Sequence, residues 1–65
     1  MKVRYDSEAD ALYLRLADAP VTESEEVRPG IVLDFDAAGG VVAIEILDTK
    51  DHLAAGADLA QLTAA

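Results

Sequence analysis

Residues 31–47 hold two runs of large apolar residues around a short polar stretch, and this pattern constrains the fold more than any other part of the sequence. Ile31–Phe35 and Val41–Leu47 are rich in β-branched residues, which favour strands. Asp36–Gly40, between them, contains residues typical of a tight connection, with glycine available for a positive-φ position. We therefore predict an antiparallel hairpin in the second half of the chain.

The register of this hairpin decides which side chains share a face of the sheet. A four-residue loop, 36–39, pairs Leu33 with Val42 and places the large apolar residues together: Ile31, Leu33, Phe35, Val42, Ile44 and Ile46. The other face then holds Asp34 and Glu45 with Val32, Val41, Ala43 and Leu47. A three-residue loop instead places Glu45 among the large apolar residues, so we favour the longer loop. The second face is half apolar, and we expect the C-terminal helix or a second subunit to cover part of it.

The remaining segments indicate an α+β domain, a small antiparallel β-meander of about four strands with a short C-terminal helix. Leucines alternate with Tyr13 and Arg15 in residues 11–16, which is the period of a half-buried strand. The acidic segment 22–28 fits an edge strand whose charges discourage further pairing. The predicted strands lie near 2–5, 11–16, 22–28, 31–35 and 41–47, the helix near 49–55, and a frayed tail at 57–65.

The size of the chain limits how much of this fold is stable alone. It has 65 residues, 52% of them hydrophobic, but 13 residues are alanine and none is cysteine. A chain of this length buries only about 60% of its unfolded surface, and disulfides or cysteine-ligated zinc are excluded as supports. We therefore expect a homo-oligomer, most simply a dimer, or a bound partner to add burial.

The charge of −8 narrows the classes of partner. It repels phosphate backbones, so we expect no nucleic-acid binding, and it favours encounter with a basic protein. The first residues contain no apolar run typical of a signal peptide, and no apolar run is long enough to span a membrane. These observations predict a cytoplasmic protein without a membrane partner.

Residues 34–45 nearly match a calcium-binding loop, with Asp34, Asp36 and Gly39 at the required spacing and Glu45 at the twelfth position. Ala38, however, supplies no side-chain oxygen, and the flanking segments are predicted strands rather than helices. The preferred interpretation is that Asp36 and Gly39 serve the turn. A small-ligand or divalent-metal site that uses Asp34, Asp36 and Glu45 stays open as the alternative function.

Asp34, Glu45 and Arg15 fall on one predicted sheet face, with Tyr13 nearby. Two converging carboxylates are able to act as an acid/base pair, but we favour cross-strand partnership with Arg15. His52 has no nucleophile motif beside it, so we assign it to the end of the short helix, where the dipole attracts a cation. We predict no catalytic residue, no cofactor and no enzymatic activity.

The leading hypothesis is a non-enzymatic protein-interaction module. Its surface combines the acidic 22–28 segment with exposed aromatic and apolar side chains, because tyrosine with a solvated hydroxyl is favoured at interfaces. The interface candidates are Tyr5, Tyr13, Arg15, Val32, Val41, Glu25 and Glu26.

Three segments resemble the domain-of-unknown-function 2283 family of short bacterial proteins. They are YDSEADALYLRL at 5–16, PGIVLDFD at 29–36 and VAIEILD at 42–48, within a similarity that covers residues 1 to about 55. The turn carries Ala37 and Ala38 where family members often have acidic or asparagine residues. The resemblance implies an antiparallel sheet of about four strands with a C-terminal helix, no established enzymatic activity, and an antitoxin-like role against a basic toxin.

Overall fold

The computed structural model describes residues 1–58, which form an antiparallel sheet and a short helix. The elements are β1 (Lys2–Asp6), β2 (Ala11–Arg15), β3 (Glu23–Arg28), β4 (Ile31–Phe35), β5 (Val41–Ile46) and α1 (Thr49–His52). The predicted α+β class is confirmed, with five strands rather than about four, because the acidic segment forms a complete strand. Most of the predicted tail, from residue 59, lies outside the described residues.

The strand order is β1-β2-β5-β4-β3, and every neighbouring pair is antiparallel. Tight turns join β1 to β2, β3 to β4 and β4 to β5. The 16–22 connection instead carries the chain from β2 to the far edge of the sheet, so that β2 pairs with β5. The predicted meander is therefore interrupted once, and the last four strands have the order of a Greek key.

The central hairpin has a different register from the predicted one. Leu33 lies opposite Ile44 rather than Val42, and a bulge separates the Asp34 and Phe35 pairs. The turn includes Gly40, whose N–H donates to Oδ1 of Asp36 at 2.8 Å, so five residues rather than four make the connection. A shift of two positions leaves the assignment of side chains to faces unchanged.

Alternation along the strands gives the sheet one apolar and one polar face. The apolar face consists of Val3, Tyr5, Leu12, Leu14, Ile31, Leu33, Phe35, Val42, Ile44 and Ile46 on β1, β2, β4 and β5. The polar face consists of Lys2, Arg4, Asp6, Ala11, Tyr13, Arg15, Ser24, Glu26, Val32, Asp34, Ala43 and Glu45. Among residues 1–58, the fully buried apolar side chains are those of Leu12, Val42 and Ala43. The other large residues of the apolar face are half-buried, because no described element packs across it as a second layer.

Helix α1 is shorter than predicted, ending at His52 rather than near residue 55, and Leu53 is already extended. Asp48 occupies the N-cap position of α1, but its φ of 51° is left-handed and its side chain makes no capping hydrogen bond. Four residues form no stable helix alone, so distant residues hold α1 against the end of the sheet. No helix in the described part of the chain is long and apolar enough to cross a membrane.

Candidate functional site

The strand register places the predicted polar residues in two adjacent rows of the polar face. Tyr13, Glu45 and Val32 lie side by side on β2, β5 and β4 in the first row. Arg15, Ala43 and Asp34 occupy the same strands in the second row. The four residues expected near one another, Tyr13, Arg15, Asp34 and Glu45, therefore share this face.

Asp34 and Glu45 form a carboxyl pair on adjacent strands. Asp34 is 5% exposed and accepts a hydrogen bond of 2.6 Å from the Ser24 hydroxyl. The hydrogen bond with Asp34 raises the pKa of Glu45, and burial and the negative charge of Asp34 raise it further. Glu45 therefore binds a proton more readily than a free glutamate does, because two ionised carboxylates on adjacent strands repel each other.

Arg15 does not serve as the cross-strand partner of these carboxyls that the sequence predicts. Its guanidinium donates to the Tyr13 hydroxyl at 3.2 Å and to the Ala19 carbonyl at 2.9 Å. Arg4, on the next strand, lies 5.9 Å from the centre of the Tyr13 ring. The bases of the polar face therefore lie on β1 and β2, whereas its acids lie on β5, β4 and β3, with the exception of Asp6 at the end of β1.

Asp36 is separate from the carboxyl pair, because it lies in the turn and its Oδ1 accepts the N–H groups of Ala38 and Gly40. Gly39 has a φ of 87°, so these residues have the turn roles that the sequence predicts. Within residues 1–58, no three His, Cys, Asp or Glu side chains are grouped so as to hold a metal ion. The three acids of the alternative ligand site are thus divided between a pair and a turn.

A hydrogen-bond cluster around Asp10 was not predicted from the sequence. One carboxylate oxygen of Asp10 accepts the hydroxyls of Tyr5 and Thr49, and the other accepts the Lys50 N–H at 3.1 Å. The Thr49 and Tyr5 bonds lower the pKa of Asp10, and the bond to Asp10 raises the pKa of Tyr5. Asp10 therefore caps α1 in place of Asp48. The family-like segment 5–16 contains both Tyr5 and Asp10, and these two residues serve the hydrogen-bond cluster at the start of the helix.

His52 is the last residue of α1, at the helix end where the sequence places it, and its ring holds the other side of the helix. Its Nδ1 lies 2.8 Å from the Leu47 carbonyl and 3.1 Å from that of Asp48, and its Nε2 lies 2.8 Å from the Pro29 carbonyl. Burial lowers the pKa of His52, but the three carbonyls outweigh burial and raise the pKa. Both ring nitrogens face acceptors, which favours the imidazolium.

The interface candidates lie on several surfaces rather than on one. Tyr13, Arg15 and Val32 are half-buried on the polar face, whereas Tyr5 is on the apolar face and bonded to Asp10. Val41 is 40% exposed beside the turn. Glu25 and Glu26 are exposed on β3, a strand in which all six residues are exposed.

The family model described as "Protein of unknown function (DUF2283)" matches residues 2–50. The chain belongs to this family. The match spans β1 to β5 and ends at Lys50, so it includes Tyr5, Asp10 and Thr49. Searches of curated proteins and of solved structures returned no match.

Proposed function

We propose that this member of the family is a non-enzymatic, cytoplasmic protein-interaction module that forms a homodimer through its apolar face. The observation that carries the proposal is the row of half-buried large side chains across four strands, with Leu14, Leu33 and Ile44 at its centre. A sheet normally buries its apolar face against a second layer. A second copy supplies that layer by placing the same face against this one.

The dimensions of the face are compatible with a small dimer interface. The four strands of the apolar face, about 4.8 Å apart and about 18 Å long, give a face of roughly 19 by 18 Å. Pleating and side chains bring its accessible area towards the ~600 Å² per partner found in the smaller stable interfaces. The sequence predicts that the surface to be covered is the half-apolar second face, whereas in this proposal it is the larger apolar face.

A basic protein is the heterologous partner in this proposal. The net charge of −8 favours encounter with such a partner. The acidic side chains of β3 are exposed to it, although one oxygen of Glu26 also accepts the Gly30 N–H at 3.2 Å. The toxin of a toxin–antitoxin pair is the specific case that the family resemblance implies.

The decisive experiment compares two lysine substitutions on neighbouring residues of β4. Light scattering at micromolar concentration is expected to give twice the 6.8-kDa chain mass for the wild type. Leu33→Lys places a charge on the apolar face and should give a monomer. Val32→Lys, its matched control on the polar face, should stay dimeric.

Two further observations keep the test independent of whether Leu33→Lys folds. The melting temperature of a wild-type dimer rises with protein concentration, because association stabilises the folded state by mass action. A monomeric wild type with a melting temperature independent of concentration contradicts the dimer.

A further inference from the structure

β3 is an edge of the sheet, and one side of its backbone has no neighbouring strand among residues 1–58. All six of its side chains are exposed, and no described element covers it. An uncovered edge presents unpaired N–H and C=O groups in the spacing that another strand requires. The backbone of β3 is therefore available for strand addition.

The side chains beside this edge are negative on both faces of the sheet. Glu23 and Glu25 lie on the side of the apolar face, opposite Phe35 and Leu33 of β4, whereas Glu26 lies on the polar face opposite Val32. An added strand therefore meets carboxylates above and below its own backbone. An added strand with basic side chains on both of its faces pairs with these carboxylates, because opposite charges on neighbouring strands stabilise a sheet.

A second copy of this chain fits the edge poorly. Two β3 strands paired antiparallel bring glutamates to face one another, which is destabilising. The other edge, β1, carries Lys2 and Arg4, but both lie on the polar face. A β1 strand from another copy therefore matches carboxylates on only one face of β3 and leaves those on the other face without a base.

We propose that the β3 edge binds an extended basic segment of a partner protein by antiparallel strand addition. The inference rests on the proposed interaction function and specifies how its basic partner is recognised. The pairing of β3 with β4 is irregular between Glu26 and Arg28, so the regular edge is Glu23–Glu26. The matching segment has bases opposite Glu26, Glu25 and Glu23 and an uncharged residue opposite Ser24.

The probe is the peptide Thr-Val-Lys-Lys-Val-Lys-Thr, titrated into the isotopically labelled full chain. Binding is expected to shift the backbone amide signals of residues 23–28 and to slow their hydrogen exchange, with little change in residues 2–6. The peptide Thr-Pro-Lys-Lys-Pro-Lys-Thr keeps the three charges but lacks two backbone N–H groups, one of which faces β3 in a ladder, and we expect no binding. Equal binding of both peptides, or shifts confined to β1, would overturn the proposal in favour of simple charge attraction or another edge.

Paired variants test the role of the β3 carboxylates. Glu25→Gln with Glu26→Gln should weaken peptide binding by about fivefold, as expected for the loss of two exposed ion pairs. Glu8→Gln with Asp18→Asn removes the same charge from exposed residues outside β3 and should change binding by less than half as much. Equal weakening in both pairs contradicts a specific edge.

Light scattering of the same samples separates this inference from the proposed dimer. If the protein is a monomer that binds the peptide, the β3 edge is supported and the dimer is contradicted. If it is a dimer that does not bind the peptide, the dimer is supported and the β3 edge is contradicted. Assemblies larger than a dimer that dissolve on peptide addition identify the β1 edge of a second copy as the natural occupant, and overturn the proposed partner.

Discussion

The two ends of the sheet are stabilised in different ways. At the turn end, Asp36 bonds to Ala38 and Gly40, its immediate neighbours in the chain. At the α1 end, Asp10 bonds to Thr49, 39 residues away, and the His52 ring reaches Pro29, 23 residues away. The comparison shows that hydrogen bonds between neighbouring residues are enough to reverse the chain direction in a hairpin. A four-residue helix instead requires hydrogen-bond acceptors from other parts of the fold.

The largest expected difference between the ends concerns two glycines with positive φ. Gly30, at the α1 end, has a φ of 84°, and an added Cβ lies 2.5 Å from Cε1 of the tethered His52 ring. Gly39, at the turn end, has a φ of 87° with no atom within 4 Å of such a Cβ. Gly39→Ala should cost about 1 kcal/mol for the left-handed backbone, and Gly30→Ala about 3 kcal/mol with displacement of the ring added.

Urea denaturation of both variants measures this gap in the free energy of unfolding. In the background of His52→Ala, the effect of Gly30→Ala should fall towards that of Gly39→Ala, because the clashing ring is absent and only the Leu47 carbonyl oxygen, 3.2 Å from the added Cβ, stays close. An unchanged cost of Gly30→Ala in that background shows that the ring is not the cause.

Two threonines provide the next comparison. Thr49 is completely buried and donates its hydroxyl to Asp10, whereas Thr22 is exposed and its hydroxyl lies 3.5 Å from the Phe35 carbonyl. Thr49→Val keeps the shape but removes a bond to a charged acceptor, so we expect a loss of about 2 kcal/mol. Thr22→Val should change the free energy of unfolding by less than about 0.5 kcal/mol. Thermal or urea unfolding measures both changes. Similar losses of unfolding free energy in Thr49→Val and Thr22→Val would show that the two ends of the sheet are not stabilised differently.

The smallest expected effect is a pH dependence at the α1 end. The raised pKa of His52 means that its contribution to stability is complete below the unfolded value of about 6.5 and is lost as pH rises through the folded pKa. His52→Gln should therefore lower the melting temperature more at about pH 5.5 than at about pH 8.5. Equal losses at both pH values contradict an imidazolium bound by the three carbonyls.

Glu45→Gln is the control for this pH dependence. The pKa of Glu45 is also raised, so its favourable contribution exists below the unfolded value of about 4.3 and is lost as pH rises through the folded pKa. Replacing Glu45 should stabilise the protein near neutral pH by removing the repulsion with Asp34. The His52 dependence should persist in this variant, because the groups titrate separately.

The sequence predicts those parts of the fold that depend on neighbouring residues. Alternation along β4 and β5 places Asp34 and Glu45 on one face, and the residues of the Asp36 turn indicate the hairpin. The exact register was missed by two positions because the turn extends to Gly40 and a bulge follows Asp34. Alternation alone does not count the residues in a turn.

Contacts between distant segments were beyond sequence reasoning. Nothing near Asp10 indicates that its acceptors serve Thr49, and the hydrophobic pattern of β2 does not show that β5 is its neighbour. Arg15 was expected to pair with the carboxyls, but the Ala19 carbonyl and the Tyr13 hydroxyl bind its guanidinium. The spacing of Tyr5 and Asp10 in the family-like segment 5–16 was the one sequence feature that pointed to this cluster. It did not indicate that Thr49 is the third member.

The strand order has a consequence for how the chain can be divided. Within residues 1–58, β1 and β2 form one contiguous piece and β3, β4 and β5 another. The two pieces meet where β2 pairs with β5, and the 16–22 connection is their covalent link. Cutting this connection breaks no hydrogen bond between strands, because each of these bonds lies either within one piece or between β2 and β5. The molecule is therefore suited to division into two fragments. The Asp10–Thr49 hydrogen bond links the two fragments through their side chains, and the affinity with which the fragments reassociate measures how strongly β2 and β5 hold together.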